Sequence, residues 1–192
     1  SGNANTCNAD GVEKAEKMSQ MAAEALGISA NDVIIGSTGV IGQPLPLEPI
    51  AKGIAALAPT LSVEGHTAAA EAIMTTDTKL KEAAYTIEIG GKTVTIGAMA
   101  KGSGMIHPNM ATMLCFITTD AAIAAPMLQK ALKLAVDDTF NMVSVDGDTS
   151  TNDMVSIMAN GMAENEMIDS DGPAFDAFVE VIQTICRTMA KK

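Results

Sequence analysis

The stretch YTIEIGGKTVTIGAM, residues 85–99, alternates apolar and polar side chains on both sides of Gly90-Gly91. A period of two sends alternate side chains to opposite faces of a sheet. Two consecutive glycines supply the positive backbone angles of a two-residue turn. The pattern predicts an antiparallel hairpin, and a sheet with one apolar face must be covered by something. Helices are the candidates. Residues 9–26 place Val12, Ala15, Met18, Ala22 and Leu26 at helical spacing, with Gly27 as a stop signal. Residues 47–58, 66–74, 124–141 and 173–192 also read as helices. Further strands are expected at 32–36 (DVIIG), in the apolar run TMLCFITTD at 112–120, and at 154–159 (MVSIMA). Loops are expected at 36–49 and 101–111. Strands and helices mix without strict alternation. The expected fold is therefore α/β of the layered, α+β-like sandwich kind, with mixed sheets covered by helices, rather than doubly wound.

Aromatic residues make up only 3% of the 192 residues, so the core must be built from Ala, Ile, Val, Leu and 14 Met. A net charge of −11 argues against nucleic acid as a partner, because phosphates select for clustered Lys and Arg. No run of 18 apolar residues is present, so no membrane span is expected. Cys7, Cys115 and Cys186 are odd in number and form no CxxC, which points to reduced thiols inside a cell. The two histidines, His66 and His107, have no second His or Cys at ligand spacing, and no zinc site is expected.

Five places in the chain could carry chemistry. GSTGVIG places Gly36, Gly39 and Gly42 after an expected strand, as in a dinucleotide-binding turn. Such a turn must open a helix, yet Pro44 and Pro46 follow at once. No acidic residue ends a strand about 20 positions later. A plain glycine turn is one alternative. An oxyanion hole is another, with backbone N–H groups around Gly39 and the Thr38 hydroxyl as donors. DGDTSTND, 146–153, gathers three carboxylates, but Thr151 and Ile157 stand where a calcium loop needs Gly and Glu. A turn capping its own backbone is expected there. MTTDT, 74–78, reads as a helix exit or cap, and Lys101 as a cation in a glycine loop. Finally, Ala111-Thr112 joins a Gly/Pro/Asn loop to an apolar run. A threonine hydroxyl is a weak nucleophile unless a base activates it, and a free α-amine on the same residue is one such base. That would require scission before Thr112. The bland alternative is a β-branched residue opening a strand.

SGNANTCN, STGVIG, AIMTTDT, AMAKGSGMIHPNMATMLCFITTDA and TSTNDM occur here in one order across essentially all 192 residues. Together they resemble the ornithine acetyltransferase family, the glutamate N-acetyltransferases of arginine biosynthesis; KGSGMIHPNMATML is the most specific part. The resemblance implies a self-processing, N-terminal-nucleophile-like fold. It implies a precursor that cuts itself between Ala111 and Thr112, and Thr112 as the nucleophile of a ping-pong transfer from N-acetylornithine to glutamate. Some members also use acetyl-CoA. Thr38 and Gly39 match the oxyanion pair, and Thr75 and Lys101 match substrate-contacting positions. No metal or bound cofactor is implied. The partners would be small molecules and paired α and β chains, in the cytoplasm. The family's chain continues at both ends. Residues 1–111 would then be the C-terminal part of the α-chain region and 112–192 the N-terminal part of the β-chain region. Together they would form one partial catalytic domain, weak or inactive alone.

Overall fold

A computed structural model describes residues 2–104, 106, 107, 110, 111 and 113–192. The chain divides into two compact units, residues 1–68 and 69–192.

The first unit is mostly helical. Helix α1 (Gly11–Leu26) ends where the sequence predicts: Gly27 takes a left-handed conformation and its N–H reaches the Ala23 carbonyl. It packs against α2 (Leu47–Leu57) and buries Met18 and Ala23. The strand expected at 32–36 does not form. Residues 30–32 make a single 3₁₀ turn, and residues 33–38 have no regular secondary structure. An apolar run becomes a strand only when a neighbour takes its N–H and C=O groups. In this unit the described pairing is one isolated bridge, between Asn3 and Val40. Helix α3 (His66–Ala72) runs across the division, with residues 69–72 counted in the second unit.

The second unit holds the sheet. Strands β1 (Lys81–Ile89) and β2 (Lys92–Lys101) form the expected hairpin, longer than the alternation alone marked out. Gly90 and Gly91 sit at φ 58° and 77°, the double positive turn that matches the twist of paired strands. A two-residue ladder then joins β3 (Ile106–His107) to β4 (Met110–Ala111), inside what reads from sequence as plain loop. Next come β5 (Leu114–Thr119), helix α4 (Ala125–Asp137), β6 (Met154–Ala159) and helix α5 (Pro173–Ala190). The helix expected at 124–141 stops at Asp137, and residues 140–142 form a separate 3₁₀ turn.

The sheet order is β1-β2-β5-β6, antiparallel except for the parallel β5–β6 pair. That parallel pair requires a crossover, which α4 supplies. Along β2, Val94, Ile96, Ala98 and Ala100 are buried, the period-two face foreseen from the hairpin. Helix α5 lies against α4 and β1. It buries Phe175, Phe178, Ile182, Ile185, Cys186 and Met189, a stripe at three- and four-residue spacing. The result is the mixed α/β architecture expected from the sequence.

Candidate active site

The site in the second unit grows from the end of β2. Lys101 is the last residue of that strand rather than a loop residue, and it pairs in register with Leu114 at the start of β5. It is only 4% exposed. Burial pushes its ammonium below the usual lysine range and the nearby Lys81 charge adds to this, while Asp77 and Asp153 pull the other way.

Asp77 lies beside it. Its carboxylate is fully shielded from solvent and accepts three donors. The Lys81 ammonium stands 2.6 Å from Oδ1 and the Gly102 N–H 2.6 Å from the same oxygen, while the Thr75 N–H is 3.2 Å from Oδ2. Burial would raise its pKa, but these donors together hold the carboxyl below its ordinary value. One residue past Gly102, the Ser103 hydroxyl meets Thr76 Oγ1 at 2.6 Å.

Asp153 closes the far side. It directly precedes β6, and its Oδ1 accepts the Met113 N–H at 2.8 Å. Its Oδ2 is buried without a hydrogen-bond partner among the described residues. Burial pushes this carboxyl up to about 6, against the pull of the Met113 N–H, the Ser150 hydroxyl and the Lys101 charge. Lys81, Lys101, Met113 and Asp153 line a cleft of about 470 Å³ whose other walls include Leu132 and Phe140. The cleft thus brings together a buried lysine side chain and a carboxyl that burial makes harder to ionise, with apolar surface around them.

In the first unit, the STG loop is pinned by the chain's opening residues. Ala4 N–H donates to the Val40 carbonyl at 3.1 Å. The Asn3 and Asn8 side-chain amides donate to the Pro44 and Gln43 carbonyls at 3.2 and 2.9 Å. Gly39 has φ 122°, and a Cβ there would collide with the Gly2 carbonyl oxygen. Only glycine fits both demands. Thr38 is buried, and its hydroxyl has no partner among the described residues. The loop thus holds a buried hydroxyl with no described partner beside a glycine whose backbone is fixed in place. The strand, glycine turn and helix of a dinucleotide fold do not form here. Residues 33–38 are not a strand, and the next helix starts at Leu47 behind Pro46.

A family model described as the ArgJ family matches residues 1–192. The chain belongs to the ArgJ family. The arginine biosynthesis bifunctional protein ArgJ of Symbiobacterium thermophilum is 56% identical over all of this chain and 48% of its own length. The protein of the same name from Caldanaerobacter subterraneus is 51% identical over all of this chain and 48% of its own. The chain thus spans about half the length of the curated relatives it matches. The crystal structure of arginine biosynthesis bifunctional protein argJ from Bacillus halodurans aligns with 40% of this chain and 36% of its own, at 49% identity and a TM-score of 0.38.

Within this ArgJ-family chain, Asp77 brings the backbones of Thr75 and of the residue after Lys101 onto one carboxylate. Thr38 and Gly39 belong to the first unit. Ala111 is the last residue of β4, and Thr112 lies outside the described residues. From sequence alone Asp77 and Asp153 carry only local capping roles, and Lys81 carries none. MTTDT reads as a helix exit or cap and DGDTSTND as a self-capping turn. Part of each is local: Asp77 does accept the Thr75 N–H, and Ser150 Oγ accepts the Asn152 N–H at 3.1 Å. The longer reach of Asp77 to Gly102 and of Asp153 to Met113 depends on the sheet register, which leaves no mark in either motif. Among the described residues no cluster of three or more His, Cys, Asp or Glu could hold a metal ion. None of their helices is long and apolar enough to cross a membrane.

Proposed function

We propose that this chain carries the nucleophile and a carboxylate-binding cation of an acetyltransferase of arginine biosynthesis, moving the acetyl group of N-acetylornithine to glutamate. The observation that carries this reading is the buried Lys101 ammonium, set beside the start of β5 in a chain that matches the ArgJ family throughout.

Scission between Ala111 and Thr112 frees an α-amine on Thr112. That amine takes the proton of the Thr112 hydroxyl as its oxygen attacks the acetyl carbonyl. The amide C–N bond breaks, ornithine leaves with a proton, and an acetyl-threonine ester remains. The glutamate α-amine then attacks this ester and restores the hydroxyl. Each step develops negative charge on the acetyl oxygen, and Thr38 with the backbone at Gly39 serves as its donor pair. Lys101 binds a substrate carboxylate, and Thr75 lines the same substrate position. Residues 1–111 and 112–192 then belong to the α and β pieces of one precursor. The reactants are small amino acids, which suits a cytoplasmic enzyme, and acetyl-CoA is the second donor to be tested in the same assay.

Intact mass of the freshly made full-length protein is the deciding measurement. The expected result is two pieces divided between Ala111 and Thr112, with Thr112→Ala remaining whole. Transfer of labelled acetyl from N-acetylornithine to glutamate should accompany the cut form alone. An uncut wild type, or a cut form that transfers nothing, would sink the reading.

A further inference from the structure

Two lysines are buried near one another, and among the described residues only one is neutralised by direct contact. Lys81, the first residue of β1, pairs in register with Ala100, and Lys101 is the next residue along β2. Asp77 gives Oδ1 to Lys81 at 2.6 Å. The rest of its bonding goes to the N–H groups of Gly102 and Thr75. A carboxylate offers about four lone-pair sites, and three are taken. Lys101 thus feels Asp77 through space, with no ion pair to it.

We propose that Asp77 is a positioning residue for substrate. It clips the MTTDT segment to the end of β2, and so fixes Thr75 and Lys101 relative to one another on a single anion. It also satisfies Lys81, leaving the Lys101 charge to meet a carboxylate from solution. The proposal rests on the substrate roles given above to Thr75 and Lys101.

Three observations converge on it. The carboxylate is wholly shielded from solvent, so its geometry is set by protein donors. Its partners come from three places in the chain: the segment before β1, the start of β1, and the exit of β2. A second tie, from Thr76 Oγ1 to Ser103 Oγ, runs parallel to the first. A buried charge with this many partners from separate segments fixes geometry as well as contributing energy. The ligand class follows from Lys101: an amino acid whose carboxylate can reach a buried ammonium.

The test is Asp77→Asn in the full-length enzyme, with Asp77→Ala alongside. Asn keeps one acceptor oxygen but loses the charge and the second N–H contact. The expected result is a rise of about tenfold in KM for glutamate and for N-acetylornithine, larger than any fall in kcat, with scission before Thr112 still complete. A role confined to folding would instead lower kcat and melting temperature together and leave KM in place, which would overturn the proposal. An independent readout is the Lys101 ammonium resonance in ¹⁵N-lysine-labelled protein. Loss of the Asp77 charge should move its titration to lower pH, and the Asp77→Asn protein should need about tenfold more glutamate to perturb it. A Lys101 signal identical in wild type and variant overturns the proposal even in a protein that transfers no acetyl group. A working enzyme with unchanged KM overturns it while leaving the acetyltransferase reading intact. If Asp77→Ala does not fold, Asp77→Asn still decides.

Discussion

The Asp153 carboxylate accepts the backbone N–H of Met113 at 2.8 Å, joining the residue before β6 to the residue before β5 across forty positions of sequence. The bond caps the open end of the parallel β5–β6 pair and fixes the chain one residue after Thr112. Its second oxygen is buried and unpartnered among the described residues. That imbalance gives the first prediction. Burial raises this carboxyl to about 6 in the folded state from an ordinary 3.8. The folded protein therefore holds the proton more tightly than the unfolded chain. The resulting stabilisation is complete below about 3.8 and is lost as pH rises through about 6. Denaturant titrations across this window should show stability falling with rising pH. Asp153→Asn, which cannot ionise, should flatten that dependence; an unchanged slope would contradict the assignment. Asp77 acts in a separate window. Its lowered carboxyl contributes above the unfolded value and loses that contribution only at still lower pH.

Gly39→Ala should be severe at the proposed oxyanion loop. The added methyl meets the Gly2 carbonyl oxygen and forces a backbone angle that L-residues avoid. Acetyl transfer by the full-length enzyme should fall by about 10²–10³-fold, the usual loss when one oxyanion donor is displaced. Far-ultraviolet circular dichroism should change little. Near-normal turnover in this variant would remove Gly39 from the mechanism.

The three cysteines should separate cleanly by reactivity. Cys7 is exposed, whereas Cys115 and Cys186 are buried. Burial raises the Cys115 thiol, with the neighbouring Cys186 adding to it, and burial pushes Cys186 up to about 12. A thiol reagent at neutral pH should label Cys7 alone in native protein and all three residues after denaturation. Rapid native labelling of Cys115 would show that β5 is more open than the sheet implies.

Phe178 is fully buried where α5 meets the sheet. Phe178→Ala should cost about 3–5 kcal/mol by loss of transferred surface and the cavity left behind. Chemical denaturation should record the loss as a lower midpoint with an unchanged slope.

Much of the second unit could be read from sequence because its signals are local. The Gly90-Gly91 turn, the alternation of β2, the stripe of α5 and the apolar run MVSIMA each announce their element without reference to the rest of the chain. DVIIG misled for the opposite reason: Val33, Ile34 and Ile35 carry strand propensity, but strand formation needs a neighbour, and Ile34 is exposed. The site divides differently. Thr38, Gly39, Thr75 and Lys101 are named as a set only by the resemblance to a known family, since MTTDT alone reads as a cap and Lys101 alone as a loop cation. Asp77 and Asp153 act through partners 25 and 40 residues away, and such distances are set by strand register.

The placement of β5 carries a consequence for what scission before Thr112 would do. The ladder from Ile96–Lys101 to Leu114–Thr119, and the seat of α5 on β1, are contacts within one chain while the chain is whole. Once cut, the same contacts become the interface of a two-chain complex. Under the proposed scission the order of events would matter: the pieces would be built joined, would fold with the advantage of a tether, and would keep afterwards a union they would otherwise have to find by diffusion. Unfolding of the processed protein should therefore grow more favourable on dilution, whereas unfolding of the uncut Thr112→Ala chain should not depend on its concentration.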